Sequence, residues 1–189
     1  MEMQQNPWTI LSSEKKYDNP WIKVTEHQVI NPSGGNGIYG VVHFKNAAIG
    51  VVALDEHNNI YLVGQYRFPL EQFSWEIPEG GGPLGIDPLL GAQRELLEET
   101  GLVASDWQPI VHMHLSNSVS DEAAVIFLAR NLEQREAEPE ETEQLFTKKV
   151  PFETAYQMVK NHEITDSMSV AAILKLKLMM LEGEIQTAL

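Results

Sequence analysis

Three glutamates crowded into one short stretch, Glu95, Glu98 and Glu99, are the residues whose type and spacing best suit chemistry. Separations of three and four residues bring side chains to one side of a helix. Like charges so placed repel by a few tenths of a kcal/mol per pair, so the cluster points to a cation. Carboxylates are hard oxygen ligands of the kind that magnesium or manganese takes. The plain alternative is a solvated helix face on which Arg94 pairs with Glu98 at i,i+4. With no cysteine in the chain, thiolate ligands and thiol nucleophiles are excluded.

The element that must carry these carboxylates is a helix from Pro88 to Thr100. Asp87 suits the N-cap, Pro88 the first helical position and Gly101 the C-terminal cap. Leu89, Ala92, Gln93, Leu96 and Leu97 recur at helical spacing as the packing side, and the glutamates are expected on another side. A Gly-rich loop beginning near Trp75 feeds this helix. Upstream, Trp8–Leu11, Trp21–Thr25 and 38–44 read as short strands, separated by the turn-rich run 31–37. Residues 47–54 and 60–67, joined by the turn 56–59, read as a hairpin. Downstream, Trp107–Leu115 and Ala123–Arg130 read as strands, the run from Glu133 to Glu143 as an acidic loop, Phe152–Asn161 as a short helix, and the chain from about Asp166 as a longer one with Val170, Ile173, Leu174, Leu178 and Met179 inward. His112 and His114 share a strand face, an arrangement read as structural because no further ligand accompanies it.

The chain has 189 residues, 43% of them hydrophobic, enough for one main globular domain. Its net charge of -14 argues against non-specific attachment to nucleic acid or an anionic membrane. The opening MEMQQNPW lacks signal-peptide character and no apolar run is long enough to span a membrane, so a cytoplasmic location is expected.

The string from Gly80 to Leu102, with Arg94-Glu95-Leu96-Leu97-Glu98-Glu99-Thr100-Gly101-Leu102 at its core, resembles the Nudix box, G-x5-E-x7-R-E-U-x-E-E-x-G-U. One specified position departs: Ile86 stands where the family has its first glutamate. That glutamate mainly holds the box arginine, so Arg94 needs another anchor. Tyr61–Pro69 and Trp75–Gly80 are similar to the ADP-ribose and nucleoside diphosphate sugar pyrophosphatase branch. The loop 116–122 is similar to that branch's S-P-G-x-S-D-E, with Asn117 in place of its proline.

The resemblance implies an α+β fold, a Nudix-type α/β/α sandwich with a mixed β-sheet. Residues 1–45 would form a small N-terminal antiparallel β subdomain serving dimerisation and base contacts, and 46–189 the Nudix domain with its box at 80–102. It implies Mg2+, with Mn2+ as a substitute, on Glu95, Glu98, Glu99 and the backbone carbonyl of Glu79, whose side chain either adds a fourth carboxylate or, as expected here, points to solvent. It implies Arg67 as a phosphate clamp, with Glu76 and Arg94 near the substrate, and Glu143, with Glu141 in reserve, as the group acting on water, alongside Glu95. Trp8, Trp21 and Tyr39 are candidate stacking residues, and a homodimer through the N-terminal strands is implied. The reaction would be hydrolysis of ADP-ribose or a nucleoside diphosphate sugar to a nucleoside monophosphate and a sugar phosphate. GDP-mannose or ADP-glucose is the alternative substrate, and a non-catalytic nucleotide-sugar binding module the alternative role. Isopentenyl diphosphate isomerase chemistry needs an active-site cysteine and is excluded.

Overall fold

A computed structural model describes residues 5–135 and 145–185. These form two compact units, residues up to 46 together with 114–122, and the remaining residues. In the first unit β1 (Thr9–Asp18), β2 (Ile22–Ile30) and β3 (Asn36–Phe44) make an antiparallel sheet in the order β1-β2-β3. All three extend past the apolar clusters that mark them in sequence: β1 runs on after Leu11, β2 after Thr25, and β3 starts before Ile38. The added residues are joined by backbone pairing, which their mostly polar side chains do not mark in the sequence.

The second unit is built on β4 (Asn46–Ala53), β5 (Asn59–Arg67), β6 (Gln72–Glu76), β7 (Glu79–Pro83), α1 (Pro88–Thr100), β8 (Leu102–His114), β9 (Ala123–Gln134), β10 (Phe146–Pro151), α2 (Phe152–Lys160) and α3 (Ser167–Leu181). One sheet has the order β7-β4-β9-β8, with β4 and β9 parallel, and the other β10-β5-β6, antiparallel throughout. The expected hairpin is therefore corrected. The turn after β4 does reverse the chain, with Asp55 accepting the His57 and Asn59 N–H groups and Asn58 at φ 58°. Beyond the single bridge Leu54–Ile60, however, β4 and β5 part into different sheets. Residues 49–53 of β4 are buried on both faces, which an outer hairpin strand would not require.

Alternation along β4 places the helices. Ile49 reaches Gly91 of α1, where an added Cβ would lie 2.4 Å from its Cδ1, whereas a Cβ on Gly50 would meet Met168 of α3 at 2.9 Å. Adjacent residues face opposite sides of a sheet, so α1 and α3 cover its two faces as an α/β/α sandwich. The α1 side of the core contains Ile49, Val51, Ala92, Leu96, Val125 and Phe127. On the other side Met168, Ala172, Ile173, Leu176 and Met179 of α3 are buried, while Leu174 and Leu178 are about half exposed. The apolar face assigned to α3 from sequence is thus rotated. Its residues are almost all apolar, so periodicity alone could not orient it.

Candidate active site

The metal-helix candidate folds as its end signals dictate. Asp87 accepts the Leu89 N–H at 3.0 Å, Pro88 opens α1, and Gly101 closes it in the left-handed region at φ 69°. The glutamates do not form a separate solvated face. Glu95 and Glu99 are buried, 7% and 6% exposed, on the same side as Ala92 and Leu96, and Glu98 lies at the edge. They are turned toward β7, whose Glu-Gly-Gly-Gly-Pro sequence read as a loop. Its glycines make it a strand that can lie close under a helix, since a Cβ on Gly80 would fall 2.1 Å from Glu95 Oε1.

Three successive residues ahead of that contact are each pinned from a different element. The Ile77 N–H donates to Ser169 Oγ of α3 at 2.9 Å, the Pro78 carbonyl accepts from Val51 N–H of β4 at 2.8 Å, and the Glu79 N–H donates to Glu99 Oε2 of α1 at 3.0 Å. The anchor of Arg94 is also visible. Its Nη2 donates to the Gly81 carbonyl at 2.9 Å and to Glu95 at 2.5 Å, and its Nη1 to Glu98 at 2.8 Å. Ile86, where the box has a glutamate, is largely exposed, and the Gly81 carbonyl takes over the arginine.

Arg67, at the end of β5, is gripped by two carboxylates. Its Nε donates to both Glu76 oxygens at 3.0 Å, and its Nη2 to Glu76 at 2.5 Å and to Glu79 at 2.7 Å. Burial works against the guanidinium charge, but Glu76, Glu79 and Asp166 outweigh it and hold its pKa above the ordinary value. Contrary to the sequence expectation, the Glu79 side chain is not directed to solvent. It is 12% exposed and turned inward, with Oε2 buried and without a hydrogen-bond partner among the described residues. Burial first, then the charges of Asp166 and Glu76, push its carboxyl well above the usual carboxylate range against the pull of Arg67.

The donors fit a hard divalent cation: Glu95, Glu98 and Glu99 offer only oxygen, and the missing Cβ at Gly80 lets the Glu95 carboxylate lie against the β7 backbone. Among the described residues no three His, Asp or Glu side chains stand together so that they could hold a metal ion as they are placed. The carboxylates instead hold Arg94 and the Glu79 N–H, contacts that a cation would share or replace. A groove of about 470 Å³ runs along α1 and β8, lined by Arg94, Leu97, Glu98, Val103 and Trp107. In the sequence Trp107 marks only the start of a strand, and nothing local identifies it as a wall of this groove. In the N-terminal unit Trp8 and Tyr39 meet edge to face at 5.2 Å and line a second groove of about 260 Å³, whereas Trp21 is 66% exposed. His112 and His114 lie exposed on β8 with no third ligand among the described residues. Glu133 belongs to β9, and Glu141 and Glu143 lie outside the described residues.

The NUDIX domain matches residues 44–170, and the nucleoside diphosphate sugar hydrolase N-terminal domain matches residues 8–42. The chain belongs to the Nudix family. It is a Nudix hydrolase, and Nudix hydrolases generally need divalent metals. It is 34% identical over 177 residues to an ADP-ribose pyrophosphatase of Mycobacterium tuberculosis, covering 91% of this chain and 84% of that protein. A Bacillus subtilis ADP-ribose pyrophosphatase is 35% identical over 133 residues, covering 69% of this chain and 72% of that one. A methanol dehydrogenase activator of Bacillus methanolicus is 31% identical over 170 residues, covering 89% and 91%. Among solved structures, an ADP compounds hydrolase shares the Nudix fold with a TM-score of 0.84 at 19% identity, covering 97% of this chain and 100% of that one. No described helix is long and apolar enough to cross a membrane.

Proposed function

We propose that this Nudix hydrolase cleaves the diphosphate of ADP-ribose or a closely related nucleoside diphosphate sugar, giving a nucleoside monophosphate and a sugar phosphate. The observation that carries this reading is the placing of Glu95 and Glu99 against the Glu79–Gly80 backbone, an all-oxygen site on the box helix. The relatives named ADP-ribose pyrophosphatase support the substrate class. Mg2+, with Mn2+ as substitute, would be held by Glu95, Glu98, Glu99 and the Glu79 carbonyl. When bound, it neutralises diphosphate oxygens and lowers the pKa of water.

The chain's own residues do the rest. The Glu99 carboxylate fixes the Pro78–Glu79 peptide by accepting the Glu79 N–H, and Arg94 keeps Glu95 and Glu98 in place from the side of Gly81. Arg67 would clamp phosphate with the edge not engaged by Glu76 and Glu79, both of which keep it oriented. Glu143, or Glu141, would orient the attacking water, and Glu143→Gln tests this through a lower rate at unchanged metal affinity. Trp8 and Tyr39 are the proposed base platform, and the N-terminal sheet, with Ile10, Leu11 and Ile38 exposed, the proposed homodimer surface. A clean monomer by light scattering would contradict the dimer. A cytoplasmic location is carried with the nucleotide substrate.

The alternative of GDP-mannose or ADP-glucose rested on Asn117. Its loop nevertheless forms a hydrogen-bonded turn, Val119 N–H to the Ser116 carbonyl at 3.0 Å, with Asn117 at the position proline favours. Asn117 is thus compatible with a turn that proline would also suit, and the relatives named ADP-ribose pyrophosphatase favour ADP-ribose. A phosphate-release screen over ADP-ribose, other nucleoside diphosphate sugars, dinucleotides and nucleoside triphosphates ranks the substrates. A best rate on triphosphates would overturn the reading.

A further inference from the structure

We propose that Ser169, far from the box in sequence, is a positioning residue for the metal site, setting the Glu79 carbonyl against α1 through its hold on Ile77. This rests on the reading of that carbonyl as a metal ligand.

Ser169 is fully buried, and its hydroxyl oxygen accepts the Ile77 N–H at 2.9 Å, across 92 residues of sequence. Asp166 caps α3 by accepting the Ser169 N–H at 2.7 Å, which fixes the serine in the first turn of the helix. The same turn is keyed into the sheet. An added Cβ on Gly50 would lie 2.9 Å from both Met168 Cε and Ile77 Cδ1, so these two side chains meet over a glycine that leaves them room. Ile77 is thereby held at its side chain and at its backbone by adjacent residues of α3.

Two residues on, the Glu79 N–H reaches Glu99, and Val51 of β4 holds Pro78 between them. The chain from Ile77 to Glu79 is thus strung between α3 and α1, the helices on opposite faces of the sheet. A shift at Ile77 passes through Pro78 to the Pro78–Glu79 peptide, and the next peptide carries the Glu79 carbonyl. The hydroxyl cannot be replaced by water at no cost, because its site is fully buried and the N–H would be left unpaired. Removing a partner that orients a metal ligand alters metal affinity, and Ser169 acts on this ligand through the two residues that follow Ile77.

The test is Mn2+ binding to the full-length protein without substrate, followed by electron paramagnetic resonance, beside thermal unfolding. Ser169→Ala is expected to bind Mn2+ about tenfold more weakly, whereas Ser169→Thr, which keeps the hydroxyl, stays near the parent. Unchanged affinity in Ser169→Ala, even with a lower melting temperature, would make the serine merely structural and overturn the inference. So would equal weakening in the threonine variant. Should Ser169→Ala fail to fold, Ser169→Cys, with similar volume and only a weak acceptor, takes its place with the same outcomes. Glu99→Gln is measured alongside. If it loses Mn2+ while Ser169→Ala does not, only the role of Ser169 fails; if it retains Mn2+, the metal site itself fails.

Discussion

Gly80→Ala separates the cost of folding from the cost of function. A methyl at residue 80 would lie 2.1 Å from Oε1, 2.2 Å from Cδ and 2.5 Å from Oε2 of Glu95. All three atoms belong to the end of a flexible side chain, so the carboxylate swings away and the backbone stays. Folding loses the Arg94–Glu95 hydrogen bond, about 1.5–3 kcal/mol for a charged pair. Part of this returns because Arg94 keeps Glu98 and Gly81, and about 0.4–1 kcal/mol returns from the stiffer unfolded chain. The net loss of stability should be about 1 kcal/mol. Metal affinity, in contrast, should fall by at least the roughly 10–100-fold that loss of a ligand's outer partner costs, because here a ligand itself has been expelled from its place. Gly82→Ala supplies the opposite case. Its methyl would meet Ile49 Cδ1 at 2.4 Å inside a fully buried core, costing about 1–3 kcal/mol of stability with Glu95 undisturbed. Urea unfolding and Mn2+ titration of both variants check the contrast. Wild-type affinity and turnover in Gly80→Ala would refute the placing of Glu95 in the site.

Removing Arg67 leaves Glu76 and Glu79 buried without their cation. Arg67→Ala should cost about 3 kcal/mol, the low end for a broken buried pair because the arginine is a third exposed. It should also raise KM for the substrate; an unchanged KM removes Arg67 from the phosphate clamp, and unaltered urea stability refutes its grip on the carboxylates. At the turn after β4, burial opposes the Asp55 charge, but Lys149, Asn59 and the turn N–H groups outweigh it and hold its pKa at about 2, against 3.8 ordinarily. A depressed carboxylate pKa contributes stability above the unfolded value and loses it as pH falls through the folded one. Asp55→Asn should therefore be less stable by about 2 kcal/mol at neutral pH, with the gap closing as pH falls from about 4 to about 2. A gap that persists at pH 2 would contradict the charge-based account.

What the sequence discloses here is what neighbouring residues determine. The bounds of α1 were legible because Asp87, Pro88 and Gly101 act within a few residues, and the box resemblance brought the family with it. The burial of Glu95 and Glu99 was not, because it depends on a strand whose glycines read as loop until the contact with Glu95 explains them. The same holds for the inward turn of Glu79, drawn by Arg67 from another strand, and for the anchor of Arg94, a backbone carbonyl that no motif can specify. The parting of β4 from β5 and the rotation of α3 are settled by what lies on each face of the sheet. Ser169 carries no local signal at all, since a serine three residues past a helix cap is commonplace until Ile77 is seen beside it.

The central claim is that the carboxylates of α1 make this chain a metal-dependent diphosphatase. The most direct measurement is hydrolysis of ADP-ribose and nucleoside diphosphate sugars with and without Mg2+, by the parent protein and by Glu99→Gln, with products resolved by chromatography. The account predicts Mg2+-dependent release of a nucleoside monophosphate and a sugar phosphate, lowered by about a hundredfold or more in the folded variant. Hydrolysis that needs no divalent metal, or that proceeds at the parent rate in Glu99→Gln, would contradict it.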